Sequence, residues 1–411
     1  MTMNRRDFVM STAGALFLPA VGWGNSRRNK PRIAAIVTEY RATSHADVLL
    51  GRMLAGYTLN IEESIYPRTE IVSMYLDQVP ETDIGRGLAK SYRVRLTSSI
   101  EEAILLGGDR TAVDGVVIIG EHGNYPHNEK GQHLYPRRKF FEETVNAFKK
   151  GGAVAPVFND KHLGYAWDDA KWMYDRARTM GFPLMAGSSL PTAWRKPDLE
   201  YPLDVELEEG LGIGFGDTEA YGFHALETLQ CMIERRRGGE SGVRAVTHLS
   251  GEKVWVAAHA GKWTRSLADA ATNCVEGRPA GTIEEHCKSP ELFLIEHSDG
   301  FRSSVLMLNG YTSAFGFAGK RKGVEKPDAA HFWLQEPDFG HFKYLAYNVE
   351  TMMLDRREIY PPERTLLTTG VLDAVMTSKH EGGSRVETPW LETVAYRSVE
   401  FPGRRAKFPC T

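Results

Sequence analysis

The chain has 411 residues, 42% of them hydrophobic and 25% charged, with a formal net charge of −3. That length allows two domains with separate cores, and the composition excludes a disordered or fibrous protein. The charge balance gives no basic footprint for nucleic acid, and no apolar run approaches the roughly 20 residues that span a bilayer.

The chain begins MTMNRRDFVMSTAGALFLPAVGWG, with Arg5 and Arg6 ahead of a short apolar stretch of small residues. A positive start followed by such a stretch is the order of a secretory signal. The adjacent arginines are of the twin-arginine kind, a route that carries folded proteins. We therefore expect residues 1–30 to be an export segment and the protein to be periplasmic or otherwise exported, with no transmembrane segment after its removal.

Residues 31–190 alternate strand and helix. Ile33–Val37 is a short apolar run, and a helix follows, carrying Leu49, Leu50, Met53, Leu54 and Tyr57 at helical spacing. Its start is marked by Ser44-His-Ala-Asp47, which has the form of a capping box. TEIVSMYLDQ reads as a second strand ending at Asp77, and TSSIEEAILLGG as a helix capped by Ser98 or Ser99. DGVVIIG is a strand, KFFEETVNAFKKGG a helix, AVAPVFND a strand, AWDDAKWMYDRARTMG a helix, and PLMAGSS closes the series. Such alternation implies a parallel sheet with helices on both faces.

Beyond about residue 200 the pattern changes. A helix at AYGFHALETLQCMIERR precedes five strand candidates: RAVTHLSG, EKVWVAAHAGKW, ELFLIEHSDG, FRSSVLMLNGY and AHFWLQEP. Strands in series suggest an antiparallel or mixed sheet, and Ser298-Asp-Gly300 is a hairpin-type turn signal. Two helices, HFKYLAYNVETMML and TLLTTGVLDAVMTSK, end the fold. The four cysteines (Cys231, Cys274, Cys287, Cys410) form neither a disulfide framework nor a metal pattern. In an exported protein Cys274 could pair with Cys287, or both could be free buried thiols.

The loop between the first strand and first helix is Thr38-Glu39-Tyr40-Arg41-Ala42-Thr43. A nucleotide-binding domain normally places glycines here, so that the backbone can approach a pyrophosphate. None is present.

The order of parts nevertheless resembles the glucose–fructose oxidoreductase, inositol dehydrogenase and rhizopine catabolism family (Gfo/Idh/MocA). The likeness rests on IVSMYLDQ with its terminal acid, on SSIEEAIL before DGVVIIG, and on Asn159-Asp160-Lys161-His162-Leu163 followed by a helix and PLMAGSS. Gly222-Phe223-His224-Ala225-Leu226-Glu227 and the closing PPERTLLTTGVLDAVMTSKHEGG extend it over nearly the whole mature chain. The resemblance implies an α/β Rossmann-like domain over residues 31–158 and an α+β domain with a large, mainly antiparallel sheet over 159–411. It also implies NAD or NADP, a sugar or cyclitol substrate, and a homo-oligomer formed through the second sheet.

Matched residue by residue, Lys161 takes the place of the family's catalytic lysine and His224 that of its histidine. A His of near-neutral pKa suits the removal of a hydroxyl proton, and a Lys stabilises negative charge developing on oxygen. Three positions depart from the pattern. Ala220 stands where an Asp is usual, with Asp217 and Glu219 close by; His162 replaces the proline after the lysine; and the glycine loop is missing. The expected cofactor-binding positions are Thr38, Arg41, Ser44, Asp77 and Glu121, with Asp77 placed for a ribose hydroxyl. The expected substrate-binding positions are His122, Asn124, Tyr125, His127, His162 and Glu219.

Several of these lie in GEHGNYPHNEKGQHLYPRR, at the carboxyl edge of a strand, where open α/β sheets bind ligands. Glu121, His122, His127 and His133 could also hold a divalent ion, although their spacing fits no standard pattern and no metal site is assigned. EEGLGIGFGD lies outside any βαβ unit and reads as a flexible or closely packed segment that delivers His224. Trp167, Trp172, Trp194, Trp255 and Trp263 are either core or a sugar-stacking platform. Two alternatives to the oxidoreductase stand: a redox-neutral lyase, epimerase or hydrolase using the 121–133 cluster, and a non-catalytic sugar-binding relative.

Overall fold

Runs such as Ile33–Val37 and Gly115–Ile119 are buried throughout, as strands covered on both faces must be. In the computed structural model, which describes residues 30–401 except 60–63, 66 and 335–338, and also Gly403, they lie at the centre of a six-stranded parallel sheet. The order is Arg95–Thr97, Glu70–Leu76, Arg32–Val37, Gly115–Ile119, Val157–Asp160 and Leu184–Gly187. It reverses between Arg32–Val37 and Gly115–Ile119, which opens a crevice outside their carboxyl ends. The export segment expected at residues 1–30, apart from Lys30, and Cys410 lie outside the described residues.

Alternate residues of the first strand serve two cores. Ala34 and Ile36 face the helices Ile100–Leu105, Arg137–Gly151 and Trp167–Met180. Ile33, Ala35 and Val37 face His45–Ala55 and, from far along the chain, His341–Asp355. Ser44 caps the first helix by accepting the Asp47 N–H, and Ser99 caps Ile100–Leu105. Asp47 accepts from the N–H of Thr43 at 2.9 Å, one residue earlier than in a reciprocal capping box.

The second sheet has eight strands. Their order is Arg385–Glu387, Val243–Ser250, Glu291–His297, Arg302–Met307, Leu207–Gly214, Phe315–Arg321, Asp328–Trp333 and Trp194–Lys196. Every pairing is antiparallel except Leu207–Gly214 with Arg302–Met307. The glycine-rich run is thus a central strand and not a flexible segment. Its glycines face the helix Ala220–Ile233 so closely that a Cβ on Gly210 would lie 2.6 Å from Ile233, and one on Gly214 would lie 2.9 Å from Ala225.

Leu211 and Ile213 point to the opposite face, which is buried under Glu252–His259, Arg265–Asn273 and Ile283–His286. The stretch EKVWVAAHAGKW, expected as a strand, is therefore largely helix. Its tryptophan and valines favour strands, but Val254 and Ala257, three apart, are the buried positions, while Val256 is exposed. The helices Gly85–Tyr92 and Arg265–Asn273 and the strands Arg95–Thr97 and Phe315–Arg321 were not anticipated from the sequence. Cys231, Cys274 and Cys287 are free thiols, so the pairing considered for Cys274 and Cys287 is not formed. Trp194 and Trp263 are buried, and Trp167, Trp172 and Trp255 pack half-buried against the cores.

Glu363–His380 is buried on nearly every side. Its polar residues are therefore paired: Arg364 donates to both oxygens of Glu234 at 2.8 and 2.6 Å, and Thr368 donates to Glu227 at 2.7 Å.

Candidate active site

The carboxyl ends of the parallel strands deliver Thr38, Asp77, Glu121, Lys161 and Ser188 to one edge. Lys161 adopts a left-handed backbone with φ 61°, a conformation that usually signals a local demand. Two backbone hydrogen bonds with Gly187, at 3.0 and 3.1 Å, hold it there. Asn159 secures the same turn by donating its amide to the carbonyls of Asp160 and His162.

Lys161 Nζ lies 2.9 Å from Glu121 Oε1, and Arg137 donates to Glu121 Oε2 at 2.6 Å. Burial alone would raise the Glu121 carboxyl, but Lys161 and Arg137 outweigh it and hold the group well below the usual range. Arg137 also donates to His162 Nε2 at 2.8 Å. Since an arginine can only donate, His162 carries its proton on Nδ1; burial and Arg137 keep the ring neutral. Glu219 accepts the His133 N–H at 2.8 Å, and its Oε1 lies 3.9 Å from His162 Nε2. Burial pushes the Glu219 carboxyl up to about 7, against the opposing pull of the His133 N–H and Arg137.

The helix Ala220–Ile233 brings in His224, whose Nδ1 lies 2.9 Å from Ser188 Oγ. Burial, Lys161 and His45 depress its pKa well below the ordinary value. Asp217 accepts the Ala220 N–H at 2.7 Å and Glu219 accepts the His133 N–H, while the imidazole pairs with Ser188 and with neither acid.

His45, on the first turn of His45–Ala55, was not anticipated. Its ring stacks on His224 with centroids 6.1 Å apart, and its Nδ1 donates to Asp160 Oδ2 at 2.7 Å. Asp160 is fully buried and its other oxygen has no partner. The capping pattern around Ser44 gave His45 no sequence signal of its own; position at the head of the first helix was the available clue. Ser188 and Arg137 were in view in PLMAGSS and YPRR, without an assigned role.

The structure thus gathers Lys161, Glu121, His162, Glu219 and His224 at one place, with Arg41 and His122 beside them: Arg41 donates to His122 Nδ1 at 3.0 Å. Asp77, Asn124 and Tyr125 form a separate group over the end of the second strand. There Asp77 accepts from Tyr75 at 2.8 Å and from Tyr125 at 2.6 Å. Thr38 donates to the Glu121 carbonyl at 2.7 Å, and the Ser44 hydroxyl is used in capping. His127 is exposed and stacks on His133 at 4.2 Å. Among the described residues, no three His, Cys, Asp or Glu side chains are grouped to hold a metal ion.

Solved structures match this fold. GenD2 from gentamicin A biosynthesis, in complex with NAD, superposes with a TM-score of 0.53 at 16% identity, over 92% of this chain and 99% of its own. The apo scyllo-inositol dehydrogenase of Lactobacillus casei gives 0.52 at 11% identity, over 87% and 98%. An oxidoreductase from Agrobacterium radiobacter, in complex with NAD+, L-tartaric acid and magnesium, gives 0.53 at 13%, over 87% and 98%. The chain has the Gfo/Idh/MocA fold. No family model matches the sequence, and no curated protein matches it.

A dinucleotide in the crevice of a Gfo/Idh/MocA fold needs donors for its phosphates and an acceptor for a ribose. The first-turn N–H groups of His45 and Ala46 have no intrahelical partner and suit an anion. Asp77 ends the second strand as a ribose acceptor would. Tyr40, in the glycine-free loop, is fully buried among core residues, with its Cβ against Gly85. Thr43 supplies the left-handed turn, at φ 61°, that a glycine usually provides. These groups fit a dinucleotide.

Proposed function

We propose that the protein is an exported oxidoreductase acting on a hydroxyl of a sugar or cyclitol, with tightly held NAD or NADP. The observation that carries this reading is the convergence of Lys161 and His224, from two separate segments, beside the crevice at the sheet reversal.

Oxidising a secondary alcohol removes a hydride from carbon and a proton from oxygen. A nicotinamide bound in the crevice supplies the hydride acceptor. The proton falls to the chain. His224 in the tautomer that donates Nδ1–H to Ser188 has Nε2 free to accept it. Because His224 is poorly able to keep a proton, His45 beside it, mostly buried but reaching solvent and paired to Asp160, offers the path onward to water. Lys161, fixed by Glu121, donates to the substrate oxygen as negative charge develops there. His122, His162 and Glu219 line the same place and suit the hydroxyls of a polyol.

Export rests on the Arg5–Arg6 leader. A folded protein carried by that route can take its cofactor with it, which favours one that stays bound and is recycled in place. The test is to denature the purified protein and analyse what is released by absorbance and mass. Stoichiometric NAD or NADP supports the proposal. An empty protein that also fails to bind added NAD and NADP sinks it.

One observation favours a second reading, redox-neutral acid–base chemistry at the same site. The Glu219 carboxyl, pushed up to about 7, has an unpartnered oxygen beside His162 and is suited to trade protons at neutral pH. Turnover of a polyol or sugar by nucleotide-free protein would decide for it.

A further inference from the structure

The chain leaving Gly115–Ile119 must reach the helix Arg137–Gly151 on its way to Val157–Asp160. It first turns the other way. From Glu121 to Tyr125 it passes back over the end of the first strand to the end of the second, across the reversal point where the crevice lies. His122 at φ 68° and Gly123 at φ 105° make this reversal.

Polar contacts tie the segment down along its length. Thr38 Oγ1 donates to the Glu121 carbonyl at 2.7 Å, and Arg41 donates to His122 at 3.0 Å. The Gln78 side chain grips the Asn124 backbone twice, accepting its N–H at 2.8 Å and donating to its carbonyl at 3.1 Å. Tyr125 donates to Asp77 at 2.6 Å, while Tyr75 takes the other oxygen. Behind it, His133 Nε2 donates to the Tyr125 carbonyl at 2.9 Å. Burial and Asp77 push the Tyr125 phenol up, so the hydroxyl remains a donor at any working pH.

We propose that Glu121–Tyr125 is a latch over the nucleotide crevice, in which the Tyr125 hydroxyl takes the carboxylate that an adenosine ribose would use. Both are hydroxyl donors competing for Asp77, so a nucleotide binds only to the fraction of molecules in which Tyr125 has let go. That fraction scales the apparent affinity and the association rate. The non-glycine left-handed backbone at His122 favours release, and the polar ties oppose it. This inference rests on the dinucleotide reading above.

The test is binding of NADH, followed by its fluorescence at equilibrium and in stopped flow, to nucleotide-free wild type, Tyr125→Phe and Gln78→Ala. Near-ultraviolet circular dichroism checks that each variant is folded. The latch predicts tighter NADH binding to Tyr125→Phe, by up to about tenfold, from the loss of one competing hydrogen bond. It predicts faster association in both variants. Unchanged or weaker binding and unchanged rates in the variants, with wild type binding NADH, would overturn the latch and leave the dinucleotide reading standing. No binding by any of the three folded proteins would overturn both.

Discussion

Lys161 and Glu121 form a buried ion pair, Nζ to Oε1, of 2.9 Å. Glu121 also answers Arg137, so one carboxylate is shared by two cations at the heart of the site. Replacing it by Gln leaves both cations without a buried counter-charge. Glu121→Gln is expected to lose about 3–5 kcal/mol of stability, the usual cost of breaking a buried pair from one side. Urea unfolding measures it, and a loss well under 1 kcal/mol would mean that Lys161 and Arg137 reach solvent instead.

If Lys161 and His224 handle the proton, removing either should slow turnover without unfolding the chain. Lys161→Met leaves Glu121 with Arg137, and His224→Gln keeps a partner for Ser188. Each is expected to lower kcat about 10²–10⁴-fold on the polyol or sugar that substrate screening identifies. The double variant should be little worse than the weaker single one, because the residues act together on the same hydroxyl. Full activity in either single variant would remove that residue from the chemistry.

Glu219 makes stability depend on pH. Folding raises its carboxyl from 4.5 to about 7. Between those values the folded chain holds a proton that the unfolded chain has released. The contribution of this group therefore falls as pH rises from about 4.5 to about 7, then levels off. Glu219→Gln still offers an oxygen to the His133 N–H and has nothing to ionise. Its stability relative to wild type should rise across that window, by about 3 kcal/mol at pH 8 compared with pH 4.5. Denaturant midpoints for both proteins at the two pH values provide the comparison; parallel curves would show an ordinary, solvated carboxyl.

The glycines of Leu207–Gly214 set how closely the helix bearing His224 approaches the sheet. A Cβ on Gly214 would stand 2.9 Å from the Ala225 Cβ and 3.0 Å from the Met307 sulfur. Gly214→Val should cost about 1–3 kcal/mol through overpacking. It should also lower kcat beyond any loss of folded protein, since a shift near 1 Å at a catalytic group can cost roughly 10²-fold. Thermal melts and turnover on the same sample separate the two effects.

The parallel sheet was legible because its strands are short apolar runs bounded by clear helices, and Lys161 and His224 were legible because each sits in a stretch resembling a known pattern. Other features lack a local signature. The helix at Glu252–His259 carries residues that favour strands, and only the burial of Val254 and Ala257 in the core beneath it shows which period governs. His45 is hidden in a capping sequence that explains Ser44 and Asp47 without it. The backward course of Glu121–Tyr125 depends on a left-handed His122, a conformation that a non-glycine residue does not announce. Asp77 was legible as a strand-end acid, while the tyrosines that claim its oxygens come from its own strand and from 48 residues along the chain.

The covering of the second sheet by Glu252–His286 bears on how the protein behaves when it is dilute. An open sheet face of this size is a natural surface for a second subunit, and a chain that depends on one grows less stable as its concentration drops. Here Val254, Trp263, Leu267 and Ile283 already occupy that face, supplied by the same chain. Through this surface, then, tertiary packing does what a subunit contact would do, a contribution that dilution cannot remove.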